Sequence, residues 1–312
     1  MNQFAELNSL EAFELLSKTV LKVEGAYAPS TIRAYKEDFL SFINFCNHLD
    51  TTPIPASPSS ICLFIKGLIA NGKTSASIRR ALVGISKIHQ LNMLLDPAAH
   101  PDVKIEMKRM HRQLGRISQQ AYPITLDTLT QLIPKKIGSL RDYRDRALLL
   151  LAYDTLARRS ELISYQVKDL SIHIKGDVNY YCINIRRSKT DQEASGKVAH
   201  LRKATYLATQ EWLEKAEITD GLLLRGIDRG NAVLPALGAG QINRIYKRLA
   251  QLANVDPQII KKISGHSMRV GAAQDLLLSG ASMPMIMSRG RWSKTDTVMR
   301  YIENFTSPYE ET

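Results

Sequence analysis

The stretch SGHSMRVGAAQDLL, Ser264 to Leu277, sets a histidine and an arginine three positions apart, His266 and Arg269, at the start of a helical pattern. Side chains three apart share a helical face, so an imidazole and a guanidinium point the same way. The turns that follow, with Ala272, Ala273, Leu276 and Leu277, are apolar. An apolar core gains nothing from two such donors, whereas a site that holds an anion uses both. Taken alone, His266 also reads as a partner for a helix N-terminus.

Other chemically capable side chains are scattered along the chain. Arg158 follows the apolar run Ala147 to Ala152, with Glu161 three residues on. By itself that spacing describes an ordinary surface ion pair, common and weak. Lys189 sits in the turn RRSKTDQ, where lysines normally face solvent. Trp292, in GRW, reads equally as core, and Tyr301, in VMRYIEN, as one more amphipathic tyrosine.

These residues must be positioned by a chain of 312 residues, a length suited to two domains. Residues 8 to 110 follow helical periodicity almost throughout. The segment STIRAYKEDFLSFINFCNHL places Ile32, Tyr35, Phe39, Phe42, Ile43 and Cys46 on one stripe. SLEAFELLSKTVLKV aligns leucines 10, 15, 16 and 21. TSASIRRALVGISKIHQLNML opposes Ile78, Leu82, Ile85, Ile88 and Leu91 to Ser75, Ser77, Arg79, Arg80 and Lys87. The apolar period lapses over GRISQQAYPIT, which predicts a helical domain over 1–117, a linker over 118–122 and a second domain over 123–312. There RDYRDRALLLLAYDTLARRSELISYQ predicts a helix. LSIHI, YYCINI and KVAHL predict three strands, the first turn supplied by Gly176-Asp177. Helices return for the rest of the chain. The expected fold is therefore mainly α with a small antiparallel sheet.

Forty-two Lys and Arg against 30 Asp and Glu leave a formal charge of +12. Such a balance favours a polyanion, because each cation on a phosphate releases a counterion. In AGQINRIYKRLAQLA, Ile242, Ile245, Leu249 and Leu252 are expected inside. Gln241, Arg244, Lys247, Arg248 and Gln251 are expected outside, a pattern that suits a major-groove helix as well as a solvated face. Lys104, Lys108, Arg109, Arg112 and Arg116 form a second basic run. Cys46, Cys62 and Cys182 lack zinc-binding spacing and are expected as buried thiols. No signal-peptide pattern opens the sequence and no apolar run reaches membrane-spanning length, so a cytoplasmic protein is expected.

The order Arg158, Lys189, His266-x-x-Arg269, Trp292, Tyr301 resembles the signature of the tyrosine recombinases, the phage integrase family, most closely their Cre-type branch. AYDTLARRSELISYQVKDL is similar to the family's first-arginine segment, and GHSMRVGAAQDLLLSGASMPMIMSRGRWSKTDTVMRYIEN to its C-terminal active-site block. TIRAYKEDFLSFINFC and TSASIRRALVGISKIHQLNML resemble its helical core-binding domain.

The resemblance implies an N-terminal core-binding domain and a C-terminal α+β catalytic domain that together clamp duplex DNA. It implies site-specific strand exchange through a covalent 3′-phosphotyrosine and a four-way junction, with no metal, ATP or other cofactor and no small-molecule substrate. It assigns Tyr301 as nucleophile, Arg158 and Arg269 as phosphate clamps and Glu161 as the group holding Arg158. Lys189 becomes the general acid, His266 a phosphate donor or proton acceptor, and Trp292 a phosphate donor and buttress. Ser77, Arg79, Arg80, Lys87, Lys108, Arg109, Arg112, Gln241, Arg244, Lys247 and Arg248 become DNA contacts. The expected partners are double-stranded DNA with an inverted-repeat site and a homotetramer spanning two sites, in a bacterial or phage-host nucleoid. Only eleven residues, IENFTSPYEET, follow Tyr301, where Cre-type relatives carry a further subunit-coupling helix. A type IB topoisomerase and a catalytically silent DNA-binding protein are the competing readings.

Overall fold

The computed structural model describes residues 6–116, 120–186 and 197–302. The chain divides into two compact units, Met1–Gln119 and Gln120–Thr312.

The first unit holds helices α1 (Ser9–Lys22), α2 (Pro29–His48), α3 (Pro58–Ala70), α4 (Ser75–Leu91) and α5 (Pro101–Leu114). Side-chain caps start four of them: Asn8 for α1, Ser57 for α3, Thr74 for α4 and His100 for α5, each satisfying amides that a helix start leaves bare. Phe39, Phe42, Ile43 and Cys46 of α2 meet Ile61, Phe64 and Ile65 of α3 and Ile78, Leu82, Ile85 and Ile88 of α4. His89 is buried here. Its Nε2 accepts from the Ala56 amide (3.0 Å) and its Nδ1 lies 2.8 Å from the Ile85 carbonyl, which fixes the neutral Nδ1–H tautomer.

Three expectations for this unit are corrected. Cys62 is half-buried on α3 rather than buried like Cys46 and Cys182, because the inward face of that helix is taken by Ile61, Phe64 and Ile65. Leu10 and Leu21 are about 70% exposed, because the stripe of α1 that packs inward runs through Ala12, Leu16 and Thr19. Ser75 is buried rather than on the polar side of α4, its Oγ 3.0 Å from Nδ1 of His111.

The second unit contains α6 (Leu126–Leu132), α7 (Leu140–Thr155), α8 (Arg159–Leu162), β1 (Leu170–Lys175), β2 (Val178–Ile185) and β3 (Lys197–Leu201). It continues through α9 (Lys203–Lys215), α10 (Ala239–Leu252), α11 (Pro257–Lys262), α12 (Ser267–Leu278), α13 (Met283–Gly290) and α14 (Thr295–Ile302). The strands form an antiparallel sheet in the order β1-β2-β3, with Ile183 opposite both Leu170 and Ala199. Gly176, at φ +60°, makes the first turn. A large core gathers Ala147–Ala152 of α7, Ile183 and Ile185, Trp212 of α9 and Ile242, Ile245, Tyr246 and Leu249 of α10. A second cluster joins Leu156, Ala272, Ala273, Ile286, Trp292, Val298 and Ile302.

The single helix predicted over RDYRDRALLLLAYDTLARRSELISYQ is two. Leu156 takes the left-handed conformation at φ 47°, ψ 36° and ends α7, after which Arg158 starts α8. Leu252 is 69% exposed instead of inward, since Tyr246 occupies the inner face of α10.

Candidate active site

The break between α7 and α8 sets the first element of the site. Glu161 folds back on the start of α8, its Oε2 accepting from the Arg158 amide (3.0 Å) and its Oε1 from Nη1 of the same residue (2.6 Å). Glu161 is 2% exposed, which removes the pair from the weak surface class. Burial alone would raise the Glu161 pKa. The charge of Arg291 and the bonds from Arg158 outweigh it, and the carboxyl is held below its ordinary value.

Arg291 was not among the predicted site residues. It follows α13 in the left-handed conformation, φ 55°, ψ 47°, with its side chain buried and Nη2 2.8 Å from Glu161 Oε2. Its sequence signal was the position beside Trp292 in GRW, where an arginine reads as an exposed loop cation.

Arg269, on the first turn of α12, is 1% exposed. Nη1 donates to the Leu156 carbonyl and Nη2 to the Gly290 carbonyl (2.8 Å). Its guanidinium carbon lies 4.7 Å from the Trp292 ring centroid, within cation–π range. Burial and the charges of Arg158 and Arg291 lower its pKa, opposed by Glu161. Arg158 and Arg291 both pair with Glu161, and Arg269 lies close enough to feel the charges of all three, so one carboxylate faces three guanidinium groups and positive charge is in excess.

His266 is exposed at the N-cap of α12. Desolvation, then the charges of Arg269, Arg159 and Arg158, depress its pKa, so the ring is held toward its neutral form. Trp292 packs on Gly290, which has no room for a side chain because an added Cβ would lie 1.9 Å from the indole. Tyr301, on α14, is half-buried against Trp292 and Ile302's cluster. Its carbonyl, at a helix end that would otherwise lack a donor, accepts from Gln274 (3.0 Å) and Gln120 (3.2 Å). Both glutamines also escaped the sequence reading, since their role depends on long-range contacts.

The structure therefore brings Arg158, Glu161, His266, Arg269, Trp292 and Tyr301 into one region of the second unit. Lys189 lies outside the described residues.

The predicted DNA contacts divide. Ser77, Arg79, Lys108, Arg112, Gln241 and Arg244 are exposed. Arg80 pairs with Asp38 (2.8 Å) and Arg109 with Glu106 (2.9 Å). Lys87 lies 5.7 Å from the Tyr27 ring centroid, and Lys247 donates to the Lys261 carbonyl at 3.3 Å. Arg248 pairs with the buried Asp145, so part of its donor capacity is already committed inside the protein.

No described helix is long and apolar enough to cross a membrane.

The profile of the phage integrase family matches residues 124–307, and that of the phage integrase N-terminal SAM-like domain matches residues 18–93. The chain is 28% identical over 313 residues to an integrase/recombinase xerD homolog of Selenomonas ruminantium, covering 96% of this chain and 88% of that protein. It is 27% identical over 283 residues to recombinase cre of Escherichia phage P1, covering 86% and 82% respectively. The fold is similar to that of the XerH site-specific recombinase bound to palindromic difH substrate, with a TM-score of 0.67 and 17% identity over 96% of this chain and 83% of that one.

Proposed function

The chain belongs to the phage integrase family, the tyrosine recombinases, and from that membership we propose a site-specific DNA recombinase that cuts and rejoins strands through a phosphodiester bond to Tyr301. The observation that carries the reading is the convergence of Arg158 and Arg269 on the neighbourhood of Trp292 and Tyr301, with more positive charge than Glu161 offsets.

A scissile phosphodiester gains negative charge on its non-bridging oxygens as it is attacked. Arg158 and Arg269 stabilise that charge as planar forks; a single arginine in phosphoryl transfer is worth about 10³ to 10⁵ in rate. The Tyr301 oxygen attacks phosphorus, its proton leaves, and the bond to the deoxyribose 5′-oxygen breaks. His266 donates to a phosphate oxygen or accepts the phenolic proton, and Lys189 protonates the departing 5′-oxygen. Positioned proton transfer contributes typically about 10² to 10⁴. The products are a 3′-phosphotyrosine and a free 5′-hydroxyl. The bond is conserved in the protein–DNA link, so a second 5′-hydroxyl reverses the step on a new strand without added energy.

The helical unit over 1–117 is the core-binding domain and 123–312 the catalytic domain, joined through 118–122. Four copies on two inverted-repeat sites complete two rounds of exchange through a four-way junction. The relatives' named activities and the net charge of +12 support DNA as the substrate.

The test uses a nicked duplex carrying the site recovered from a random-sequence selection. The unaltered protein forms a covalent adduct, and Tyr301→Phe binds the same duplex without forming one. Persistence of the adduct in Tyr301→Phe places the nucleophile elsewhere; no adduct with the unaltered protein favours a silent DNA binder. Relaxation of supercoiled DNA by the monomer, with no exchange between two sites, favours a topoisomerase.

A further inference from the structure

Glu161 presents a physical difficulty for the proposed reaction. It is buried, ionised and bonded to Arg158, one of the two guanidinium groups assigned to the phosphate. A carboxylate that holds a guanidinium also cancels its charge, and in a weakly screened interior that cancellation is felt by any anion nearby.

Arg291 resolves it. Its Nη2 takes the second Glu161 oxygen at 2.8 Å, while Arg158 Nη1 takes the first at 2.6 Å. Arg291 also reaches the turn at the end of α7 just before Arg158, Nη1 donating to the Thr155 carbonyl (2.9 Å) and Nη2 contacting the Leu156 carbonyl (3.4 Å), while Nη1 bonds the nearby Arg289 carbonyl at 3.3 Å. The Leu156 carbonyl also receives Arg269. The segment that carries Trp292 is thereby tied to the turn that carries Arg158.

We propose that Arg291 is a positioning residue whose charge offsets that of Glu161, so that Glu161 clamps Arg158 without neutralising it toward the DNA phosphate. The proposal rests on the recombinase reading of the site and adds a residue to it. Two features argue against a merely space-filling role. Arg291 occupies a left-handed backbone position, φ 55°, where a side chain is disfavoured and glycine is at ease. Its Nε is also buried without a hydrogen-bond partner among the described residues, a cost an apolar or absent side chain would not carry.

The left-handed backbone supplies a clean variant, since Arg291→Gly removes the charge at a position glycine adopts without strain. Adduct formation on the nicked duplex is measured for the unaltered protein, Arg291→Gly, Glu161→Gln and the double variant, beside DNA affinity and thermal unfolding. Residues that orient a metal ligand from behind are typically worth about 10- to 100-fold in activity; Arg291 orients Arg158 through Glu161 in the same way, and Arg291→Gly is expected to slow adduct formation by about that factor while DNA affinity changes by less than about three-fold. In the Glu161→Gln background no carboxylate charge remains to be offset, and the Arg291→Gly penalty shrinks to less than about three-fold. Arg291→Lys, which keeps the charge and loses the planar fork, retains more rate than Arg291→Gly.

An equal penalty in both backgrounds assigns Arg291 a structural role and overturns the proposal, as does an Arg291→Gly protein of unchanged rate. Unfolding of Arg291→Gly shifts the reading to Arg291→Lys and Arg291→Met, whose rates then differ if charge is what matters and coincide if it is not. Absence of an adduct with the unaltered protein instead defeats the recombinase reading itself.

Discussion

Tyr301 and Trp292 face each other with ring centroids 5.5 Å apart and planes inclined at 51°. The guanidinium of Arg269 lies 4.7 Å from the centroid of that same indole. Trp292 therefore links the proposed nucleophile to a proposed phosphate clamp. Trp292→Ala leaves a cavity in the cluster of Leu156, Ile286 and Val298, and large aromatic truncations in cores cost about 3–5 kcal/mol. We expect a clear fall in the unfolding midpoint together with loss of adduct. Trp292→Phe keeps a ring face and loses the indole N–H. It is expected to fold and to cleave about 3- to 10-fold more slowly, the usual worth of one hydrogen bond. Equal cleavage by Trp292→Phe and the unaltered protein means that the N–H has no part in the reaction.

Two glycines separate function from folding. A Cβ on Gly290 would meet the Trp292 ring at 1.9 Å, and one on Gly271 would meet the Ile124 carbonyl oxygen at 2.0 Å. The first obstacle is a side chain at the edge of the site, the second a backbone that also receives support from the Ser267 carbonyl. Gly290→Ala is expected to fold, bind DNA and cleave poorly because Trp292 is displaced. Gly271→Ala is expected to destabilise the second unit by about 1–3 kcal/mol or more, as overpacking does. Circular dichroism melts beside adduct assays check both, and a reversed pattern removes the argument.

The pieces legible in the sequence were those with a local signal. The three strands and their Gly176-Asp177 turn follow from alternation and turn chemistry, and α2 and α4 from their apolar stripes. Arg158, Glu161, His266, Arg269, Trp292 and Tyr301 were picked out by order and family resemblance, since each alone had an ordinary reading. What escaped depended on contacts distant in sequence. The break at Leu156 lies inside an uninterrupted helical pattern, because a left-handed leucine has no sequence mark. Arg291 meets Glu161 across 130 positions, and Gln274 caps the end of α14 from another helix. Leu252 matched the period of α10, but the inner face runs through Tyr246 and Ala250 and leaves it outside.

Protonation links two histidines to stability. His89 and His266 both have folded-state pKa values below the ordinary 6.5. For such groups the unfolded chain binds protons first as acid is added. Their stabilisation is complete above pH 6.5 and declines as pH falls from there through the lowered folded values. In His89 protonation also destroys the acceptor for the Ala56 amide. The unfolding midpoint is expected to drop between about pH 7 and 5, and His89→Gln to flatten that drop in the first unit. An unchanged slope in His89→Gln assigns the acid sensitivity to other groups.

DNA binding should act on His266 in the opposite sense. Desolvation and the charges of Arg269, Arg159 and Arg158 now keep its ring neutral, and a phosphate placed among those arginines offsets part of their field. Binding is then accompanied by proton uptake near pH 6 to 7, about the range where histidine titrates. Calorimetry in buffers of different ionisation enthalpy measures the uptake directly. It is expected to vanish in His266→Asn, and an uptake that survives this change arises elsewhere.

The basic residues of α10 differ in what already holds them. Arg244 is exposed, and its loss removes a cation available to a phosphate without disturbing the core. Arg248 pairs with Asp145, a fully buried carboxylate whose other partner is Arg144 at 2.6 Å. Burial raises the Asp145 pKa and the two arginines oppose the rise, so removing one leaves the carboxylate undercompensated. Arg244→Ala is expected to weaken DNA binding, to lower the dependence of log affinity on log salt by about one, and to leave the unfolding midpoint in place. Arg248→Ala is expected to lower stability by about 1–3 kcal/mol, because a buried acceptor loses a charged donor, with a smaller change in salt dependence. Salt titrations and melts on both proteins decide the matter. If Arg248→Ala alters only the salt slope and Arg244→Ala alters nothing, the groove-facing assignment of α10 is wrong and its basic face is rotated from the one proposed.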